Sequence, residues 1–214
     1  MSIQYTQIVK TLPSSVPFVG PEAQERRLGK NFEARIGANE SVFGPSPKAV
    51  LAMTDEIGQA WKYGDPESFD LKHALAKKHN VAFENIIVGE GIDGLLGYLV
   101  RLFIEQGDNV VTTDGAYPTF NYHVEGFGGQ LHKVPFKDDT EDLDNLLNKV
   151  RETKAKMLYV SNPNNPMGTL NSVNDINNLI SLTCDFDKYD AHVLISRVIT
   201  DEGSLFKSYP HNSY

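Results

Sequence analysis

The chain has 214 residues, of which 40% are hydrophobic and 22% charged, a composition typical of a soluble globular protein with one sizeable core. Its net charge of −8 and pI of about 5.2 disfavour nucleic acids and anionic membrane surfaces as partners and favour small molecules. The single cysteine, Cys184, excludes an internal disulfide framework and a cysteine-rich metal site.

The first residues carry no apolar run long enough for a signal peptide, and no window approaches the length of a membrane span. We therefore expect a cytoplasmic protein. From residue 1 to about residue 30 the sequence is rich in proline, serine and charge without steady periodicity, which predicts an arm that crosses a surface.

Two helices are predicted next. Ser46 can cap the first helix, Pro47 suits its first position, and apolar side chains follow at roughly helical spacing to about Tyr63. A second helix is predicted over residues 68–80 after a Gly-Asp-Pro break.

From there predicted strands alternate with predicted helices. The strands are 85–88, 109–113, 130–134 and 156–160, with 192–200 as a candidate further strand, and the helices are 92–105, 119–127, 142–153 and 173–182. This alternation predicts an α/β fold with a mainly parallel sheet and helices on both faces.

Ligands of open α/β sheets bind outside the carboxyl ends of the strands, and the first loop there is glycine-rich, Gly89–Gly94. Its glycines let backbone N–H groups approach an anion at the start of the next helix. The loop also matches the dinucleotide pattern G-x-G-x-x-G, with Asp114 at the required distance of about 20 residues. A dinucleotide site, a monophosphate site and a simple tight turn all remain open on this loop alone.

Two later loops carry aromatic and amide side chains. Tyr117, Phe120 and Tyr122 follow predicted strand 109–113, where a ring can stack on a planar heterocycle or merely anchor a helix. The loop Asn162–Thr169 offers amide donors and acceptors to a ligand, or serves as a rigid connector whose asparagines satisfy their own backbone.

A resemblance decides between these interpretations. Residues Asn162–Thr169 read NPNNPMGT and are very similar to the NPNNPTG signature of class I and II aminotransferases, pyridoxal 5'-phosphate (PLP) enzymes of fold type I, departing from it in Met167. Four upstream segments resemble the histidinol-phosphate aminotransferase branch in the same order: Ala38–Ser41 with Gly44–Pro47, Tyr63–Pro66, Gly89–Gly94 and Pro118–Phe120. The similarity spans about residues 33–182.

The resemblance implies a cofactor site for PLP. Gly91, Ile92 and Asp93, at the start of a predicted helix, would bind the PLP phosphate. Phe120 would stack on the pyridine ring, and Asn165 would donate a hydrogen bond to the cofactor's 3-oxygen.

The resemblance also implies partners and substrates. Tyr63 would reach the phosphate in a neighbouring subunit, because the family builds its sites across a homodimer, and Asn39 would lie near the substrate carboxylate. The activity would be transfer of an amino group between an amino acid, or a histidinol-phosphate-like amine, and a 2-oxo acid. We expect an N-terminal arm at 1–35, an incomplete PLP-binding α/β domain at 36–182 and an atypical tail at 183–214.

The family also needs an acid beside the pyridine nitrogen and a lysine that forms a Schiff base, both downstream of the asparagine loop. Asp201 and Lys207 superficially resemble them, but their spacing leaves no room for the strand that the family places between them. We therefore predict no catalytic lysine and a truncated or altered aminotransferase. We also predict no metal site, because His73 and His79 lack the spacing of metal ligands. Two alternatives stay open: an inactive PLP-binding fragment, and an NAD-dependent dehydrogenase that uses Gly89–Gly94 and Asp114.

Overall fold

The structure is a computed structural model that describes residues 4–12, 19–35 and 43–183, together with the backbone of 192–199 and 203–206. The chain divides into two compact units, one of Gly20–Glu90 and one of Met1–Val19 with Gly91–Tyr214. The first unit is helical in its described part, and the second contains the sheet.

The described part of the Gly20–Glu90 unit contains three α-helices: α2 (Pro21–Leu28), α3 (Pro47–Glu56) and α4 (Phe69–His79). The predicted cap of α3 is confirmed, because Ser46 Oγ accepts a hydrogen bond from the Ala49 N–H at 3.1 Å and Pro47 opens the helix. The helix ends at Glu56 and passes into a 3₁₀ turn, well short of the predicted end near Tyr63. It contains no buried residue, so tertiary packing does not extend it.

The predicted arm contains two short helices that its composition did not indicate. These are α1 (Gln7–Thr11), in the sheet-containing unit, and α2. Pattern analysis missed them because they are only five and eight residues long, too short to show a full apolar stripe. Neither helix has a buried residue.

The second unit is built on a five-stranded sheet with the order β2-β1-β3-β4-β5. The strands are β1 (Asn109–Thr113), β2 (Gln130–Val134), β3 (Met157–Ser161), β4 (His192–Ile199) and β5 (Gly203–Phe206). The pairs β1–β2, β1–β3 and β3–β4 are parallel, and β5 pairs antiparallel with β4. The predicted mainly parallel sheet is confirmed.

Helices cover both faces of this sheet, as predicted. They are α5 (Gly91–Phe103), α6 (Pro118–Gly126), α7 (Leu143–Thr153) and α8 (Val173–Thr183). Val111, Leu158 and Val160 belong to a buried cluster with α7 and α8, whereas Val110 and Tyr159 belong to one with α5 and α6. Neighbouring strand residues enter opposite clusters because side chains alternate along a strand.

The strand predicted at 85–88 is wrong. Phe83–Asn85 forms a 3₁₀ turn, and the following residues pair with no other strand. Ile86 is buried, but Ile87 is 74% exposed. A short apolar run does not make a strand without a neighbour to complete its hydrogen bonds, and the described residues of the Gly20–Glu90 unit contain no strand.

The argument that no strand fits between Asp201 and Lys207 is also wrong, since β5 runs there. An antiparallel partner needs only a short connection, whereas a parallel one needs a crossover of a dozen or more residues. Asp201 and Lys207 themselves lie outside the described residues.

None of the helices in the described ranges is long and apolar enough to cross a membrane.

The close packing around Gly129, just before β2, predicts that a larger residue at this position lowers the stability of the protein. A Cβ added there would lie 2.8 Å from Val124 Cγ1, 2.9 Å from Ile104 Cγ2 and 3.2 Å from the Val124 carbonyl oxygen. We expect Gly129→Ala to lower the free energy of unfolding by about 1–3 kcal/mol through overpacking, as measured by urea denaturation. Gly126→Ala is the matched control, because no atom lies within 4 Å of its added Cβ; an equal loss in both variants would contradict the packing argument.

Candidate cofactor site

The loops that follow β1 and β3 leave the same edge of the sheet, because the two strands are parallel neighbours. One loop runs from Thr113 to α6, and the other contains the asparagine motif Asn162–Thr169. A hydrogen bond joins the first loop to the start of α5, since the Tyr117 hydroxyl donates to Asp93 Oδ1 at 2.6 Å. The structure therefore brings α5, the β1 loop and the β3 loop into one region, as ligand binding in this type of sheet requires.

The start of α5 has the properties of an anion site. Gly91 has a φ of +74°, and a Cβ added there would meet no atom within 4 Å. Gly91 and Asp93 are exposed and Ile92 is half-buried. The N–H groups of a first helical turn have no partner within the helix and lie at the positive end of its dipole. Gly91, Ile92 and Asp93 can therefore present N–H groups to a phosphate.

The carboxylate of Asp93 in this first turn is engaged by Tyr117. Burial raises the pKa of the Tyr117 phenol, and the hydrogen bond to Asp93 raises it further. Tyr117 thus stays a protonated donor, and its bond restrains the Asp93 carboxylate in the first turn of α5.

The asparagine loop uses two of its asparagines to hold its own shape. Asn162 Oδ1 accepts from the Asn171 N–H at 2.8 Å, and Asn162 Nδ2 donates to the Asn171 carbonyl at 3.1 Å. Asn164 Oδ1 accepts from the Met167 N–H at 3.1 Å, and its own backbone bonds to Gly168 and Thr169 at 2.8 Å. These bonds close a compact turn around residues 164–169.

Asn165 is different from its neighbours. Its N–H donates to Ser161 Oγ at 3.3 Å, and its side chain is half-buried. Among the residues that the structure describes, the Asn165 side-chain amide has no hydrogen-bond partner. This amide is therefore available to a ligand at the end of β3.

The predicted stacking residue, Phe120, lies inside the core. It is 0% exposed, and its ring stacks on Tyr159 with 4.2 Å between centroids and 27° between planes. The predicted stacking role would need one face of this ring to become accessible, and neither is accessible in this structure.

The remaining predicted residues belong to the other compact unit or lie outside the described residues. Tyr63 is fully exposed and belongs to the Gly20–Glu90 unit. Asn39, which we expected near the substrate carboxylate, lies outside the described residues, as Asp201 and Lys207 do.

Sequence reasoning missed Glu141, which lies in the loop before α7. The residue is only 4% exposed. Its carboxyl group accepts hydrogen bonds from the Thr113 hydroxyl, from Asn164 Nδ2 at 2.7 Å and from the Ser161 N–H at 3.2 Å. Within the sequence it stands among Asp and Thr residues that read as a solvated loop, so no local pattern indicated burial.

A model of the family aminotransferase class I and II matches residues 34–195, more than half of the chain. The chain belongs to the class I and II aminotransferase family. The glycine loop, the asparagine loop and strands β1, β2 and β3 all fall within the matched residues.

Two curated relatives are histidinol-phosphate aminotransferases. Those from Desulfotalea psychrophila and Moorella thermoacetica are 31% and 32% identical to this chain over 155 and 157 residues. The alignments cover 72% and 73% of this chain. The chain spans about 40% of the length of these relatives.

Solved structures agree with the fold. A crystal structure of histidinol-phosphate aminotransferase from Sinorhizobium meliloti in complex with pyridoxal-5'-phosphate has a TM-score of 0.81 and 43% identity, and the match covers 92% of this chain and 59% of that chain. An aspartate aminotransferase from Thermus thermophilus, at 21% identity and a TM-score of 0.75, shares the fold.

The dinucleotide hypothesis for Gly89–Gly94 is wrong. The family match assigns this loop to an aminotransferase. The dinucleotide fingerprint also requires a strand directly before the glycine loop, and residues 85–88 form none.

The buried carboxyl group predicts how stability changes with pH. Burial raises the pKa of Glu141 above its ordinary value of 4.5, although the bonds from Thr113, Asn164 and Ser161 oppose the shift. A raised pKa means that the folded protein binds the proton more tightly than the unfolded chain does. The resulting stabilisation is present below pH 4.5 and is lost as the pH rises through the folded pKa.

We expect the wild-type free energy of unfolding to fall relative to that of Glu141→Gln over this rise in pH, as measured by urea denaturation. Glu141 lines a cavity that other charged groups also line: Lys137, Asp138, Asp142, Asp144 and Asp175. Asp144→Asn controls for the loss of one negative charge there. Identical pH profiles for wild type and Glu141→Gln would show that the prediction is wrong.

Proposed function

We propose that the protein is a PLP-dependent aminotransferase that moves an amino group between an amino acid, or an amine resembling histidinol phosphate, and a 2-oxo acid. In this proposal the described part of the chain supplies the cofactor site. The observation that supports it most directly is the Asn165 side-chain amide, which has no hydrogen-bond partner among the described residues. In the same family-typical loop, the side chains of Asn162 and Asn164 are both hydrogen-bonded. The histidinol-phosphate aminotransferases among its relatives support the substrate class.

The residues present fit the two polar ends of PLP. The first-turn N–H groups of Gly91, Ile92 and Asp93 suit the phosphate, because Gly91 leaves open space for it. Asn165 can donate to the ring's 3-oxygen and so orient the ring in its plane. When bound, PLP supplies an electron-withdrawing ring that stabilises negative charge on the substrate. The chain's own task is to hold and orient that ring.

Exposed apolar side chains support the proposal of a homodimer. Five lie on α3 and the turn after it, at 45% exposure or more: Val50, Leu51, Met53, Ile57 and Trp61. Apolar patches of this kind mark interaction surfaces. Tyr63, fully exposed beyond the same turn, is placed by this proposal at the phosphate of the partner subunit's cofactor.

The groups assigned above to the cofactor, the first-turn N–H groups of α5 and the Asn165 amide, bind and orient a ligand and transfer no proton. They therefore fit equally a second candidate, a PLP-binding chain that performs no transamination. Under this candidate, amino-acid addition to the purified chain with PLP yields no 2-oxo acid. Formation of a 2-oxo acid that is lost in Lys207→Ala would instead assign the catalytic lysine to the tail.

The cofactor role of Asn165 can be tested by PLP titration, with protein fluorescence as the signal. We expect Asn165→Ala to weaken PLP binding roughly 2- to 10-fold, since one hydrogen bond contributes about 0.5–1.5 kcal/mol. Its free energy of unfolding should not change, because the amide has no partner among the described residues.

The matched control is Asn171→Ala, since the hydrogen bonds of Asn171 within the loop are made by its backbone. Equal PLP affinity in Asn165→Ala and Asn171→Ala would remove the basis of the proposal.

The proposed phosphate site predicts a separate effect of Tyr117. Tyr117→Phe deletes the hydroxyl that engages Asp93 and leaves the aromatic ring. We expect weaker binding of inorganic phosphate, by roughly 2- to 10-fold, because the released carboxylate competes for the α5 N–H groups. Isothermal titration with inorganic phosphate measures this, and Tyr98→Phe, an exposed tyrosine in the middle of α5, is the control. Unchanged phosphate affinity in Tyr117→Phe would contradict the role of this bond.

A further inference from the structure

Glu141 joins three segments that are far apart in the sequence. Thr113 ends β1, Ser161 ends β3, and Asn164 lies in the asparagine loop. All three, like Glu141, are at least nine-tenths buried. One carboxyl group therefore connects two neighbouring strand ends and the loop that follows the second.

The bonds to Glu141 use both of its oxygens. Oε1 accepts from Asn164 Nδ2 and from the Ser161 N–H, while Oε2 accepts from the Thr113 hydroxyl. A buried carboxyl group is tolerated only when donors surround it in this way. Without it, the three donors would be buried without a partner. The desolvation penalty of these donors would then favour rearrangement of the segments that carry them.

The hold on Asn164 reaches Asn165 through two routes. Asn164 organises the turn by bonding to the Met167 N–H with its side chain and to Gly168 and Thr169 with its backbone. Ser161, whose N–H is bonded to Glu141, accepts a hydrogen bond from the Asn165 N–H with its Oγ. Asn165 is thus anchored on both sides by residues that Glu141 holds.

We infer that Glu141 is a positioning residue of the cofactor site, which fixes the asparagine loop and thereby the orientation of the Asn165 amide. It acts through Asn164 and Ser161 and does not itself touch a ligand. This inference rests on the proposed function, because that function assigns Asn165 to the PLP ring. It predicts that changes at Glu141 weaken the binding of the ring and leave the binding of a phosphate group unaltered.

The test compares Glu141→Leu, Glu141→Gln and Glu141→Asp with the control Asp142→Ala in the full 214-residue chain. Asp142 is the adjacent residue and caps α7 through the Asn145 N–H at 3.1 Å, so its loss destabilises the same region without touching the loop. Two readouts are needed: hydrogen exchange of residues 162–169 without any ligand, and dissociation constants for PLP and for inorganic phosphate.

We expect Glu141→Leu to speed exchange at the Met167 and Gly168 amides and to weaken PLP binding about tenfold, with phosphate binding unchanged. Glu141→Gln should restore both properties, because its amide oxygen can accept the bonds from Asn164 and Ser161. Glu141→Asp keeps the charge but is shorter, so it should give an intermediate result, and it serves if Glu141→Leu does not fold. Asp142→Ala should match the wild type in the loop.

The inference is overturned if Glu141→Leu and Glu141→Asp leave loop exchange at the wild-type rate, or if Asp142→Ala alters the loop as strongly as they do. It is also overturned if PLP and inorganic phosphate lose affinity by the same factor. A wild-type chain that does not bind PLP would refute the proposed function, while the exchange rates would still decide whether Glu141 holds the loop.

Discussion

The parallel pairing of β1 with β3 is the constraint on which the site depends. Val110 pairs with Met157 and Val111 with Leu158, and each pair enters the buried cluster on one face of the sheet. Because parallel strands end at the same edge, this register places Thr113 and Ser161 close enough for one carboxyl group to bond both. The apolar packing of the sheet thereby sets the positions of the polar groups.

The polar network at this edge lies inside the fold and is as buried as the apolar core. Thr113 and Ser161 continue the alternation of β1 and β3, and Glu141 meets them from the loop before α7. Helix α7 is held in turn by Leu146, Leu147 and Val150 in the cluster beneath it. Stability and site geometry consequently share the same residues, and a buried network of this kind is costly to satisfy only in part.

The candidate cofactor site combines groups that are already hydrogen-bonded with groups that are available to a ligand. The side-chain amides of Asn162 and Asn164 form hydrogen bonds that hold the loop, and the Tyr117 hydroxyl donates a hydrogen bond to Asp93. The Asn165 amide and the first turn of α5 are left to a ligand. A loop held by its own side chains loses little conformational freedom when a ligand binds, which favours affinity.

Several elements could be predicted because their causes are local. Ser46 and Pro47 specify a helix start by themselves, and strand 109–113 follows from a run of valine and threonine between two helices. The strand expected at 85–88 could not be judged in this way, since a strand exists only with a partner. The connection to β5 was misjudged because the direction of a strand determines how long its connection must be. The number of residues between Asp201 and Lys207 does not show that β5 runs antiparallel to β4.

The sequence by itself determined the family, through an ordered set of motifs, and it located the asparagine loop at the end of a strand and the glycine loop at the start of a helix. Only the tertiary structure decided which asparagine of the loop has a side-chain amide without a hydrogen-bond partner. It also decided that Phe120 is enclosed against Tyr159 and that Glu141 is buried. The physical reason is that a motif records which residues are present in order along the chain. Burial and hydrogen-bond partners depend on segments that meet only when the chain is folded, as Thr113, Glu141 and Asn164 do.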